Sequence, residues 1–126
     1  MGDSKRRILL VDDEPAIVKI LGRLIELADF EVSTAMDGEE GLAKAKAEHP
    51  DAIVLDLMLP KMNGFDVCAA LKKDEATKSI HVVIFTARGR QEEPRCRELG
   101  ASAFFSKTDP SSELIARLKS LLGLPS

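Results

Sequence analysis

"ILLVDDEP", residues 8–15, decides how the rest of the chain is read: four consecutive apolar residues run straight into Asp12, Asp13 and Glu14, with Pro15 behind them. A short continuous apolar run fits a strand buried on both faces, the habit of parallel sheets. Two adjacent carboxylates where such a strand ends repel each other, so the position calls for a positive partner. Pro15 suits the first turn of a helix, and acids suit that turn through its dipole, so the stretch also reads as a helix start.

Working outward, four more short runs stand out: "FEVST" (30–34), "AIVLD" (52–56), "VVIFT" (82–86) and "AFFS" (103–106). "FEVST" alternates, as an edge strand does. Between the runs lie helical patterns. Ile17, Ile20, Leu21, Leu24 and Leu27 recur at the spacing of one apolar helix face, as do Leu114, Ile115, Leu118, Leu121 and Leu122. "DGEEGLAKAKAEHP" is an Ala-rich helix that His49-Pro50 ends, and "GFDVCAALKKD" another that starts after Asn63. Pro94 fits a helix start and not an interior, so a short helix is expected over 94–99, capped by Gly100. Strands and helices thus alternate five times without a linker. The pattern predicts one α/β domain over 1–126, a parallel sheet with helices on both faces.

The bulk composition excludes several classes. The 126 residues carry a net charge of −3, with 44% hydrophobic and 31% charged residues, which gives no general attraction to nucleic acid or to anionic membrane. No apolar run approaches the ~20 residues of a membrane span, and the N-terminal stretch lacks the apolar region of a signal peptide. Cys68 and Cys96 lack metal-ligand spacing and read as two reduced thiols, so a cytoplasmic protein is expected. His49 and His81 stand apart from each other and from the cysteines, as surface or strand-end residues.

In parallel α/β sheets ligands gather at the carboxyl ends of the strands. The first run delivers Asp12 and Asp13, the third Asp56, the fourth Thr86 and the fifth Lys107, whereas the second ends in Ser33 and Thr34. Each residue alone has an ordinary explanation: a helix cap, a loop carboxylate, a strand threonine, a solvated lysine. Together they make three carboxylates, a hydroxyl and an ammonium. Few carboxylates with room for water and phosphate oxygens suit Mg²⁺, and a carboxylate beside it can act as a nucleophile toward phosphorus. Asp56 is the natural nucleophile because its strand is central.

With these residues in hand, the chain from about Arg7 to Leu122 resembles the receiver domain of bacterial two-component response regulators. "ILLVDDEP", "AIVLDLMLPKMNG", "VVIFTA" and "GASAFFSK" carry the resemblance. It implies a flavodoxin-like strand order 2-1-3-4-5. It implies Mg²⁺ held by Asp12, Asp13, Asp56 and the Met58 carbonyl, phosphorylation on Asp56, and phosphoryl oxygens held by Thr86 and Lys107. Phe104 takes the place of a switch aromatic coupled to Thr86, and Met58 and Arg88 flank the path of hydrolytic water. The implied function is a phosphorylation-dependent switch in a two-component phosphorelay. A histidine kinase or phosphotransfer protein would load it, and a downstream protein would read the face of helix four, strand five and helix five. It would promote its own phosphorylation and slow dephosphorylation without turning over a separate substrate, binding neither nucleic acid nor membrane directly.

Two departures stand against the family pattern. Thr108 replaces the proline that usually follows the lysine, so a trans bond and a different loop are expected, and Pro94 falls where the fourth helix is usually fuller. A stand-alone receiver and the N-terminal piece of a longer regulator, for example a DNA-binding one, read alike here. A metal-dependent phosphohydrolase using an aspartyl phosphate is the other class considered, but it wants a second acid two residues after the nucleophile, where Met58 stands. A flavodoxin-like FMN carrier would want neutral donors in place of Asp12 and Asp13. A receiver-like module with a dead site would not keep the full set.

Overall fold

Every apolar run forms a strand, and each strand is followed by a helix, in a computed structural model that describes residues 5–125. In chain order these are β1 (Arg7–Val11), α1 (Pro15–Leu27), β2 (Glu31–Ala35), α2 (Gly38–Glu48), β3 (Ala52–Leu55), α3 (Gly64–Lys73), β4 (His81–Thr86), α4 (Glu93–Glu98), β5 (Ala103–Ser106) and α5 (Ser111–Leu121). Part of the N-terminal stretch read as lacking a signal peptide, Met1 to Ser4, lies outside the described residues. Among the described residues no helix is long and apolar enough to cross a membrane.

The five strands are all parallel, in the order β2-β1-β3-β4-β5. Residues alternate between two cores, which is why the central runs are apolar throughout. Leu9, Val11, Ile53, Leu55, Val82, Ile84 and Phe104 pack with Ala45, Val67, Leu71 and Cys96 from α2, α3 and α4. Ile8, Leu10, Val54, Val83, Phe85 and Phe105 pack with Leu21, Ile25, Leu114 and Leu118 from α1 and α5. The register places Val11 opposite Leu55, so the next residues, Asp12 and Asp56, leave the sheet side by side. The ladder runs one step further there: Asp56 N–H donates to the Val11 carbonyl at 3.1 Å, and Asp12 N–H to that of Ala35 at 3.1 Å.

Helix ends follow local chemistry. Pro15 opens α1, and Asp37 caps α2 by accepting from Glu40 N–H at 2.8 Å. His49 ends α2 in the left-handed region at φ 50°, ahead of Pro50. The short fourth helix begins one residue before the expected Pro94 and is entered through a 3-10 turn over Arg90–Glu92. Gly100, at φ 105°, closes it: Gly100 N–H donates to Arg97 and Ala101 N–H to Cys96, the paired bonds of a glycine-terminated helix.

The first helix corrects one expectation. The apolar face expected from 17, 20, 21, 24 and 27 is split. Leu21 and Ile25 are buried with Ile17 packed beside them, while Ile20, Leu24 and Leu27 are 61%, 36% and 67% exposed. The helix is rotated so that the 17-21-25 row meets the sheet, and the 20-24-27 row is left facing outward.

Candidate functional site

At the carboxyl end of β1, Asp12 turns back on its own chain, its Oδ1 accepting from Glu14 N–H at 2.9 Å. That turn sends Pro15 into α1 and leaves Asp13 exposed beside a buried Asp12. At the end of β3, Asp56 is 4% exposed, and its Oδ1 accepts weakly from Met58 N–H at 3.3 Å. The following loop is drawn tightly under it by Gly64, whose N–H donates to the Leu57 carbonyl at 3.0 Å. A Cβ at Gly64 would fall 2.2 Å from the Asp56 carbonyl oxygen, so only glycine permits that approach. One oxygen from each of Asp12, Asp13 and Asp56 lies within 4.8 Å of the others.

Thr86, the last residue of β4, is fully buried, and its Oγ1 accepts from Arg88 N–H at 3.2 Å. Lys107 follows β5, tied by its N–H to the Thr86 carbonyl at 2.9 Å. Its ammonium enters the acidic cluster, 2.8 Å from Asp12 Oδ2 and 3.1 Å from Asp56 Oδ2, and it also meets Glu14 Oε1. Burial alone would lower the Lys107 pKa, but the pull of the Asp12, Glu14 and Asp56 carboxylates outweighs it and holds it above lysine's ordinary value. Burial pushes the Asp12 carboxyl up, with Asp56 adding to the rise, against the pull of Lys107 and the Glu14 N–H. Asp12 Oδ2 is buried and leans on the Lys107 ammonium, 2.8 Å away, which Asp56 and Glu14 also draw on. A buried anionic oxygen in that condition, beside two further carboxylates, fits a hard cation.

The loop after Lys107 closes differently from one shaped by proline. No cis peptide bond occurs among the described residues, so the Lys107–Thr108 bond is trans, as expected. Ser106 Oγ lies 2.8 Å from Thr108 Oγ1, and Asp109 accepts from Ser106 N–H at 2.9 Å while pairing with Arg90. Arg90 in turn lies over the Phe104 ring, 5.8 Å from its centroid. Phe104 itself is buried, 5% exposed, in the core on the α2, α3 and α4 side of the sheet.

The structure therefore gathers Asp12, Asp13, Asp56 and Lys107 at one mouth, with Thr86 at the neighbouring strand end. Met58 and Arg88 stand at its rim: Met58 is 56% exposed, and Arg88 pairs with Glu92 at 2.9 Å rather than reaching over Asp56. In the sequence Glu14 reads only as a first-turn acid of the helix. Its contact with Lys107 joins residues 93 apart, and nothing local signals it. The Arg90–Asp109 link is hidden from the sequence for the same reason.

The comparisons agree with this geometry. Residues 8–119 match the model of the response regulator receiver domain. The DNA-binding dual master transcriptional regulator RpaA of Synechocystis sp. is 42% identical over 92% of this chain and 48% of its own length. The response regulator PleD of Caulobacter vibrioides is 47% identical over 91% of this chain and 26% of its own length. The chain thus spans about half or less of these relatives. Among solved structures, a CheY-like receiver domain protein from Methanospirillum hungatei JF-1 superposes with a TM-score of 0.88 at 28% identity, covering 95% of each chain. The chemotaxis response regulator CheY4 of Vibrio cholerae does so with a TM-score of 0.86 at 27% identity, over 94% of this chain and 99% of that one. With the sheet order, the acidic mouth and the family match in agreement, this chain belongs to the receiver domain family of two-component response regulators.

Proposed function

We propose that this receiver domain switches state when Asp56 takes a phosphoryl group from a histidine kinase or phosphotransfer protein. An Asp56 carboxylate oxygen attacks phosphorus in line, the P–O–Asp56 bond forms, and the bond to the donor's imidazole nitrogen or acyl oxygen breaks with its electron pair leaving on the donor. The observation that carries this reading is the Asp56 carboxylate itself. It is buried at the mouth, 3.1 Å from the Lys107 ammonium, with Asp12 and Asp13 offering oxygens beside it.

Asp12, Asp13, Asp56 and the Met58 carbonyl are the proposed Mg²⁺ ligands. When bound, the ion offsets the charge of the three acids and binds phosphoryl oxygens. Lys107 moves from carboxylate to phosphoryl oxygen and steadies the charge that builds there. The Thr86 hydroxyl, now accepting from Arg88 N–H, can donate to a phosphoryl oxygen, and a shift of Thr86 would draw the β4–α4 loop with it. That loop holds Arg90 over Phe104, so the packing of Phe104 is the proposed link to the face of α4, β5 and α5. The outward row of Ile20, Leu24 and Leu27 is an apolar face on the helix that starts at the mouth, suited to a helical phosphodonor. DNA binding by any longer protein would reside outside this domain.

A phosphohydrolase reading has less support, since Met58 offers no acid where a second proton carrier is needed. Intact mass after incubation with acetyl phosphate and Mg²⁺ tests the proposal. One phosphoryl adduct is expected on the parent and none on Asp56→Asn, with the fold retained. Equal labelling of the variant would move the phosphoacceptor elsewhere.

A further inference from the structure

Glu14 occupies the N-cap of α1 yet makes no side-chain hydrogen bond to that helix. This is unusual use of a cap position, because Pro15 brings no N–H and the next free donors, on Ala16 and Ile17, lack partners inside the helix. Instead the carboxylate reaches away from α1 to the Lys107 ammonium. Lys107 is thereby shared among three acids: Asp12 and Asp56 buried beneath it, and Glu14 at the rim, its side chain 58% exposed. Only the rim acid can swing into solvent without leaving a buried charge behind.

We propose that Glu14 is a positioning residue that holds the Lys107 ammonium at the rim of the mouth and competes with the incoming phosphoryl group for it. The proposal rests on the phosphoacceptor reading of Asp56. A phosphoryl group arriving at Asp56 brings anionic oxygens to the same ammonium. Lys107 cannot serve Asp12, Asp56, Glu14 and phosphate together, since an ammonium has three N–H donors. Glu14 is the acid displaced, because Asp12 and Asp56 are fixed by their strands and buried. Once released, the Glu14 carboxylate lies beside the unpartnered N–H groups of α1, where the helix dipole favours an anion. The exchange would move a negative charge from the mouth to the start of α1 each time the site is loaded. No bond is made or broken at Glu14.

The test uses beryllofluoride as a non-covalent phosphoryl probe, with Mg²⁺ present, on the whole chain. Titration is followed by NMR, including the Lys107 ammonium resonance. Glu14→Gln and Glu14→Ala should each bind beryllofluoride about two- to fivefold more tightly than the parent, the range set by one half-exposed ion pair. Acetyl phosphate labelling should speed up by a similar factor, and the Lys107 ammonium signal of the probe-free variants should shift from the parent's position. A merely structural role for Glu14 would change the melting temperature and leave the Lys107 signal and probe affinity alone. Unchanged or weaker beryllofluoride binding in both variants overturns the proposal, and so does weakened binding that follows a matching loss of Mg²⁺ affinity, which would make Glu14 part of the metal site. A parent that neither binds beryllofluoride nor accepts phosphate overturns the phosphoacceptor reading, and this proposal with it.

Discussion

At the N-terminal end of the sheet, Asp51 accepts from Arg7 N–H at 2.8 Å while Arg7 pairs with Glu31 at 3.3 Å and His81 Nδ1 lies 3.2 Å from Ser102 Oγ. At the carboxyl end, Asp12, Asp56 and Glu14 share one lysine, with Asp13 beside Asp12 and Asp56. Both ends close the same five strands with polar residues. The first matches its acids with nearby donors or opposite charge, at positions where a polar side chain simply finishes a strand. The second collects surplus negative charge, part of it buried, which costs folding free energy. An arrangement that is unfavourable alone and repeated at neighbouring strand ends fits the proposed arrival of a cation from outside.

The largest test of that contrast is its dependence on a cation. At the proposed site Mg²⁺ would bind the native state alone, so at a hundred times Kd it should add about 2.7 kcal/mol to stability, read as a rise in melting temperature. Asp13→Asn should lose most of this gain, whereas Asp51→Ala at the opposite end should keep all of it. A melting temperature indifferent to Mg²⁺ in the parent would erase the distinction between the two ends.

A smaller effect concerns the rim of the mouth. Met58 offers no acceptor to orient water, and Arg88 is paired with Glu92 at 2.9 Å. Met58→Asn with Arg88→Glu should place water-orienting groups there and speed loss of the phosphoryl group about tenfold, a barrier lowered by ~1.4 kcal/mol. Decay of the phosphorylated protein after rapid removal of acetyl phosphate measures it. Equal or slower decay in the double variant would mean that neither side chain governs the water.

The smallest effect belongs to the matched end. Asp51→Ala removes the acceptor for Arg7 N–H and should cost about 1 kcal/mol by chemical denaturation, without altering acetyl phosphate labelling. Reduced labelling in this variant would show that the two ends are coupled through the sheet.

Much of the fold and of the site is legible in the amino acids themselves. Val11 and Leu55 are apolar because both faces of their strands are covered, so the runs and the acids that end them can be found by eye. The first helix is legible in kind but not in rotation: several apolar residues compete for one buried stripe, and only packing against the sheet selects Leu21 and Ile25 over Ile20, Leu24 and Leu27. The fourth helix is legible through Pro94 and Gly100, because each acts on its own backbone. The role of Glu14 is not, since its partner lies on the loop after β5 and its neighbours suit a cap equally well.

The sequence by itself determined the alternation of strands and helices, the five residues at the strand ends and, through their motifs, the family. Those properties depend on local periodicity and on the type of residue at each end. The tertiary structure decided which acids share Lys107, that Arg90 lies over Phe104 and pairs with Asp109, and which face of α1 is left open. These depend on parallel pairing that levels the ends of separate strands. Charges far apart in the chain meet only after that register is set, and no local propensity carries the information.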